Sequence, residues 1–406
     1  MTTTRDEKLP EGPLHGMRVA EFTHAVMGPS AGLILADLGA EVIRIEPPGG
    51  DATRELKGFG SGYFTYYNRN KKSVCIDLKS DAGRATALDL IASCDVMLEN
   101  FAPGTIDRLG LGWDEVSRLN PGLVFASMKG FLSGPYEQRI AMDEVVQMMG
   151  GLAYMTGPRD RPLRAGTSVV DITGGMFAVI GVLAALQERQ HTGRGRQVRA
   201  ALFETTAFLM GQHMAWSAIS GKPVPPMPER VSAWAVYRTF TSADDQPVFI
   251  GIISDRHWQR FCTAFERGDL AEDTDLRTNN DRIAARQRLL PDLEAMFRRI
   301  PAADIMARCE GAGIPFAPIG RPEDLFRDPH LQESGRLLPT LLPDGEQAPL
   351  PGLPLEGEGF TPVMRRQPAP AGADTRSVLQ SLPGYDAGRL DHLEQGGHIH
   401  TRQEPL

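Results

Sequence analysis

The alternation that begins at Met17 narrows most what this chain can fold into. "MRVAEFT" reads as a short apolar strand, "PSAGLILADLGA" has helical spacing and stops at Gly39, and "EVIRIE" is a second strand. The cycle then repeats. "SDAGRATALDLIASC" opens on Ser80, a side chain suited to capping a helix, and puts Ala85, Leu88, Ile91 and Ala92 at helical spacing. "DVMLEN" follows as a strand, "WDEVSRLN" as a helix and "LVFASMKGF" as a strand. Strand–helix–strand units with such short connections predict an α/β fold, a parallel sheet covered on both faces. Ligands of such sheets bind at the carboxyl ends of the strands. Those ends are His24, Glu46, Asn100 with Phe101, and Lys129, which together define one rim.

Farther on, "AGTSVVDITGGMFAVIGVLAAL" (165–186) holds a single acid, Asp171, with no Lys, Arg or His within five residues on either side. Two readings are open: a helix N-cap that accepts from first-turn N–H groups, or a nucleophile. The apolar run behind it is roughly 15 residues long and is interrupted by Gly174, Gly175 and Gly181. That falls short of the about 20 needed to span a bilayer, so the run is expected to be a buried core helix. "TGRGRQVRAALFE" feeds another strand and "TTAFLMGQHMAWSAI" another apolar helix, after which the prolines of "GKPVPPMPER" break the pattern. "WAVYRTFTSADDQPVFIGII" reads as a β-hairpin, followed by amphipathic helices near 256–266, 282–299 and 302–312. These patterns divide the chain into a large domain over 1–220, a smaller α+β domain over 221–335, and a Pro/Gly-rich return with a last helix, "DTRSVLQSL", over 336–406. The tract "APLPGLPLEGEGFTPVMRRQPAPAGA" is expected to run as an extended connector, and "HIHT" as a frayed end rather than a metal site.

Several classes of function are disfavoured. The net charge of −8 argues against a nucleic-acid partner. Cys75, Cys94, Cys262 and Cys309 form no C-x-x-C pair, which argues against a zinc or iron–sulfur framework and suits reduced thiols in a cytoplasm. No apolar signal-like run opens the sequence, and no membrane segment is expected. G-x-G-x-x-G after the first strand, G-x-x-x-x-G-K-[ST] and G-x-S-x-G are all missing, and "GFGSG" (58–62) reads as a loop with no strand before it and no helix after it. Lys71, Lys72, Arg108 and Lys129 are, singly, ordinary surface charges; gathered on one rim they would suit phosphates.

"NFAPGTIDRLGLG", "NKKSVCIDLK" and "TGRGRQV", with "GMRVAEFTHAVMGPSAGLILADLGAEVIRIEPPGGDATR" and "GPYEQRIAMDEVVQMMGGLAYMTG", resemble the formyl-CoA transferase/carnitine CoA-transferase family, the class III CoA-transferases. The likeness runs from about residue 14 to the end of the chain and is strongest over 16–205. It implies a Rossmann-like large domain built from both chain ends, a small domain between them, and two subunits interlocked as a homodimer. It implies that Asp171, in D-x-x-G-G-M, is the nucleophile, and that His24, Ala25, Lys72, Asn100, Phe101, Arg108 and Lys129 contact CoA. No permanently bound cofactor is implied; acyl-CoA and a small organic acid are the substrates. The sequence departs from the oxalate-using branch at Ile140 and Pro47, where that branch carries basic residues, and "PMPERVSAWAVY" replaces its Gly-rich loop.

An aspartate suits this chemistry because, at a reference pKa near ~3.9, it is expected to be ionised without help from a base. Gly174 and Gly175 are candidate N–H donors to the oxyanions. The competing reading within the superfamily is a 2-methylacyl-CoA racemase, which needs a His where this chain has Met142. A non-catalytic acyl-CoA binding protein is the alternative from another class. For substrates the reading favours succinyl-CoA as donor and a short dicarboxylate as acceptor, with Arg139, Arg164 and Arg230 as candidate partners for a second carboxylate. Trp216, Trp234 and Tyr237 leave a carnitine-like cation open.

Overall fold

The computed structural model describes residues 12–229 and 232–401, so Arg230 lies outside the described residues. The chain forms two compact units, Met1–Glu229 with Pro329–Leu406, and Arg230–Asp328. The first is organised by strands β1 (Arg18–Phe22), β2 (Glu41–Glu46), β3 (Lys71–Ile76), β4 (Val96–Glu99), β5 (Val124–Lys129) and β6 (Gln197–Ala201). Helices α1 (Met27–Asp37), α2 (Ser61–Tyr67), α3 (Asp81–Ala92), α4 (Thr105–Arg108) and α5 (Trp113–Leu119) lie between the first five strands. Between β5 and β6 come α6 (Asp143–Met149), α7 (Leu152–Thr156) and α8 (Val169–Thr192), and α9 (Leu202–Ser220) follows β6.

The six strands pair in parallel in the order β3-β2-β1-β4-β5-β6. Alternation along each strand sorts the side chains. Ala20, Phe22, Ile43, Ile45, Val74, Ile76, Met97 and Phe125 join one buried cluster; Val19, Val42, Val96, Leu98, Val124 and Ala126 join the other, which includes α1 and α8 residues.

The second face also buries charge. Arg44 pairs with Glu21 at 2.8 Å and with Asp51 at 2.5 Å, and Lys71 pairs with Glu21 at 2.9 Å. Lys71 is therefore not a surface charge: it is fully interior, and desolvation lowers its pKa to about 8 against the pull of Glu21. Gly32 makes room for this cluster, since a Cβ there would fall 1.8 Å from Glu21 Oε2.

The second unit carries β7 (Tyr237–Thr241), β8 (Pro247–Gly251) and β9 (Phe316–Pro318) as an antiparallel sheet. Five helices flank it: α10 (Asp255–Ala264), α11 (Gly268–Glu272), α12 (Asn279–Ala284), α13 (Arg286–Phe297) and α14 (Ala302–Ala312). Trp258, Phe261, Phe265, Phe240 and Phe297 supply much of its core.

The chain then re-enters the first unit. After α15 (Pro329–Glu333), β10 (Leu337–Leu341) pairs with β11 (Gln347–Pro351), so the start of the expected connector is a strand. Asn70, at φ +61°, holds the segment that follows: its Nδ2 donates to Val363 O at 2.9 Å, and its Oδ1 accepts from Arg365 and Arg366 N–H at 2.7 and 2.9 Å. Two helices, α16 (Thr375–Gln380) and α17 (Ala387–Gln395), close the first buried cluster, and β12 (Ile399–His400) pairs antiparallel with β3. Ile399 is fully buried, so "HIHT" is a sheet edge and not a frayed end.

Two more expectations are corrected. "GFGSG" does lead into a helix, α2. The glycines do not interrupt α8, which runs unbroken for 24 residues and is long and apolar enough to cross a membrane by length and composition. Nor is it wholly interior: Met176, Ile180 and Leu183 are exposed on one side. On the other side, a Cβ on Gly175 would lie 2.2 Å from Ser30 Oγ and 2.8 Å from Met27 O, and one on Gly174 would lie 2.7 Å from Met27 Cε. The glycine pair is the seam that lets α8 lie against α1. Gly175→Ala should therefore destabilise the protein by about 1–3 kcal/mol in a denaturant melt, although Ala is the better helix former. An unchanged or raised midpoint would contradict this packing role.

Candidate active site

At the carboxyl ends of β1, β4 and β5 a cavity of about 490 Å³ opens. His24, Ala25, Asn100, Phe101 and Lys129 line one part of it; Arg139, Met142, Asp143, Ser168 and Asp171 line another. The loop after β1 is held by Asn100, whose Oδ1 accepts from His24 N–H and whose Nδ2 donates to His24 O, both at 2.9 Å. That clamp holds Ala25 at φ +60°, a conformation few non-glycine residues adopt. The His24 ring stacks on Phe101, with centroids 5.8 Å apart and planes 19° from parallel.

Lys129 is not a free cation. Its Nζ lies 2.7 Å from Glu99 Oε1 and donates to Phe101 O at 2.8 Å, so its charge is matched and it braces the Phe101 loop. Arg108 is exposed on α4, donates to Thr105 Oγ1, and is not among the residues that line the cavity. Lys72 is elsewhere. It stands at the amino-terminal end of β3, pairs with Glu41, and lines a separate hollow with Arg18, Arg365 and Arg366. The expected single basic rim is thus not formed within the chain.

Asp171 is the third residue of α8, not its N-cap; that position is Ser168, which makes no side-chain capping bond. The cap comes from another helix. Asp143, the first residue of α6 and almost fully buried, accepts from Val170 N–H at 2.9 Å and Asp171 N–H at 3.0 Å through Oδ2. Gln147, one turn along α6, donates to Asp143 Oδ1, and its own Oε1 accepts from Ala165 N–H at 2.8 Å. Two residues of α6 therefore fix both the α8 terminus and the strand of chain that leads to it.

The Asp171 carboxyl itself accepts no hydrogen bond and pairs with no cation among the described residues. Val26, Leu33, Tyr67, Tyr63 and Ile172 pack nearby as an apolar cluster. Desolvation, with the negative Asp143 as a second cause, pushes its pKa up to about 7. This corrects the expectation of a carboxylate fully ionised at neutral pH. Gly174 and Gly175 are likewise not oxyanion donors: they lie beyond the first turn of α8, where N–H groups belong to the helix ladder.

A family model described as CoA-transferase family III matches residues 14–375. The chain belongs to that family. It is 31% identical to the succinyl-CoA:glutarate CoA-transferase of Mus musculus, over 96% of this chain and 91% of that protein. It is 36% identical to the acetyl-CoA:oxalate CoA-transferase of Acetobacter aceti, over 84% of this chain and 90% of that one. Among solved structures, a CAIB/BAIF family protein from Brucella suis superimposes with a TM-score of 0.79 at 30% identity, covering 91% of this chain and 98% of its own.

Membership of family III makes the chain a transferase enzyme. What sequence reasoning missed in its site is Asp143. The residue was visible in "MDEVVQ", but nothing local distinguishes a surface acid in a helical first turn from one turned inward to cap a second helix.

If Asp171 must be ionised to react, kcat/KM rises with pH through about 7 and flattens above it. Asp143→Asn keeps an acceptor for the α8 N–H groups and removes the charge, so the same profile moves to lower pH. A profile that does not move would contradict the pairing. Stability runs the other way. The folded pKa of Asp171 lies above its unfolded value, so its contribution is complete below about pH 4 and is lost as pH rises through 7. Asp171→Asn should therefore melt higher than the wild type at pH 8, by on the order of a few kcal/mol, and show little gain at pH 4.

Proposed function

We propose that this enzyme transfers CoA from succinyl-CoA to a short dicarboxylic acid through a covalent thioester on Asp171. The observation that carries this reading is a lone, unpaired carboxyl on the wall of the cavity, with its helix terminus already capped by another residue. A structural acid would be using its oxygens for hydrogen bonds; among the described residues nothing donates to either oxygen of Asp171.

In the proposed cycle an oxygen of ionised Asp171 attacks the donor thioester carbonyl. The C–S bond breaks, giving a mixed anhydride and CoA thiolate. The thiolate attacks the aspartyl carbonyl, the anhydride C–O bond breaks, and the donor acid leaves carrying one aspartate oxygen. The acceptor carboxylate then attacks the aspartyl-CoA thioester, and the released thiolate attacks the acceptor's acyl carbon, regenerating Asp171. No proton is transferred between enzyme and substrate carbon.

Each tetrahedral intermediate calls for N–H donors. The N-terminus of α1 is supported for this role: Val26 and Met27 line the cavity, and no side chain caps the helix. For CoA itself we propose contacts from His24, Ala25, Asn100, Phe101 and Lys129, with Arg108 next to the Phe101 loop. Relatives named for oxalate and for glutarate are about equally similar, so identity does not rank the acids. Ile140 and Pro47, in place of basic residues, and Arg139 in the cavity support a longer diacid.

The racemase reading lacks a proton carrier at Met142, which is exposed at the N-cap of α6. We also propose a homodimer. Met176, Ile180 and Leu183 of α8, with Phe208, Met214, Trp216 and Ile219 of α9, leave an apolar surface that a second subunit would cover. The four buried, unpaired thiols suit a reducing cytoplasm.

Incubation with succinyl-CoA followed by hydroxylamine should convert Asp171 to a hydroxamate seen in peptide mass spectra, and Asp171→Ala should lose turnover while still binding CoA. An unmodified Asp171 with turnover intact would refute the covalent step. Exchange of an α-proton of acyl-CoA into deuterated water without CoA transfer would favour the racemase. Light scattering should give twice the chain mass for the wild type, with Ile180→Asp shifting it toward the monomer; a monomeric wild type would refute the dimer.

A further inference from the structure

The cavity beside Asp171 holds a cation that the transfer steps leave idle. Lys129 is matched by Glu99, and Arg164 by Glu144. Arg139 lines the same cavity, and no carboxylate among the described residues pairs with it. Arg139 is exposed at the cavity mouth, and aromatic rings orient it there. Its guanidinium lies 4.9 Å from the centre of the Tyr136 ring and 5.7 Å from that of Phe131, and the backbone N–H of Arg139 donates to Tyr136 O at 2.8 Å, closing a turn. Both rings pack on Phe203, at 5.4 Å for Phe131 and 6.4 Å for Tyr136. A guanidinium laid on aromatic faces loses little freedom when it binds, and its N–H edge stays open to a planar two-oxygen acceptor.

We propose that Arg139 binds the distal carboxylate of the diacid whose other carboxyl reacts at Asp171. This inference rests on the transferase reading of the cavity and adds the group that selects the acid. The other anion in the system is CoA phosphate, which the long pantetheine arm separates from the reacting sulfur. Asp171 and Arg139 share one hollow of about 490 Å³, a volume suited to a small ligand. A short diacid would place a charge at each. An acid without the second carboxylate gains nothing from Arg139 and leaves that cation unmatched, so the residue acts on discrimination between substrates.

The test compares full-length wild type, Arg139→Met and Arg139→Lys on two substrate pairs: succinyl-CoA with glutarate, and acetyl-CoA with propionate. Arg139→Met should lower kcat/KM for the diacid pair by roughly tenfold to a hundredfold, the loss expected for a charge-assisted hydrogen-bonded pair, and leave the monoacid pair unchanged. Arg139→Lys should recover part of the loss, since it keeps the charge without the fork. Equal losses on both pairs would assign Arg139 to CoA and overturn the inference, as would an unchanged diacid rate. Hydroxylamine trapping at Asp171 in Arg139→Met separates the two levels: trapping with unaltered acid preference sinks this inference alone, whereas a wild type that is never trapped sinks the proposed function.

Discussion

Asp143 and Asp171 impose a conflict that the rest of the site is built around. One carboxylate is buried to cap α8, because the first-turn N–H groups of a buried helix need an acceptor. A second carboxyl is then held on the same turn, in apolar surroundings, facing the first charge. Helix N-termini favour negative charge, which offsets part of the cost, but burial and Asp143 prevail and move Asp171 to about 7. A carboxyl that is poorly stabilised as an anion is more basic and more ready to form a bond to carbon than an exposed aspartate. In the proposed cycle that conflict would supply reactivity, and Gln147 and the packing of α8 on α1 hold it in place.

That packing has its own requirement. α8 must approach α1 closely enough for Asp171 to meet the loop after β1, and Gly174 and Gly175 remove the side chains that would prevent it. Beneath α1, Gly32 admits Glu21, which gathers Arg44 and Lys71 across three strands. Buried ion pairs of this kind add little net stability but penalise misaligned strands, since a slipped register would strand a charge in the core. The same strands end at His24 and, through β4, at Asn100. Register and site geometry are therefore linked.

Much of this was legible in the chain. Alternation from Met17 to Phe131 identified the parallel sheet and the rim at its carboxyl ends, because apolar periodicity reports directly on which faces are buried. Asp171 stood out as an acid without a local partner. The misreadings share a cause: pairwise facts between distant segments leave no trace in local pattern. Lys71 and Lys72 look alike in "NKKSV", yet one is interior beside Glu21 and the other stands at the amino-terminal ends of the strands, away from the cavity. The glycines of α8 look like helix breakers until α1 is laid against them. β12 is only two residues long, too short for period-two patterning to register. The raised pKa of Asp171 required knowing that the fold buries its carboxyl and, second, that Asp143 turns inward.

The proposed thioester requires Asp171 to exchange an oxygen atom with the acids it serves, and oxygen labelling reports that exchange. When the enzyme turns over once with an acceptor acid carrying ¹⁸O in its carboxylate, ¹⁸O should appear in the side chain of Asp171 in the digested peptide, in step with acceptor-CoA formed. Full formation of acceptor-CoA with an unlabelled Asp171 would contradict it.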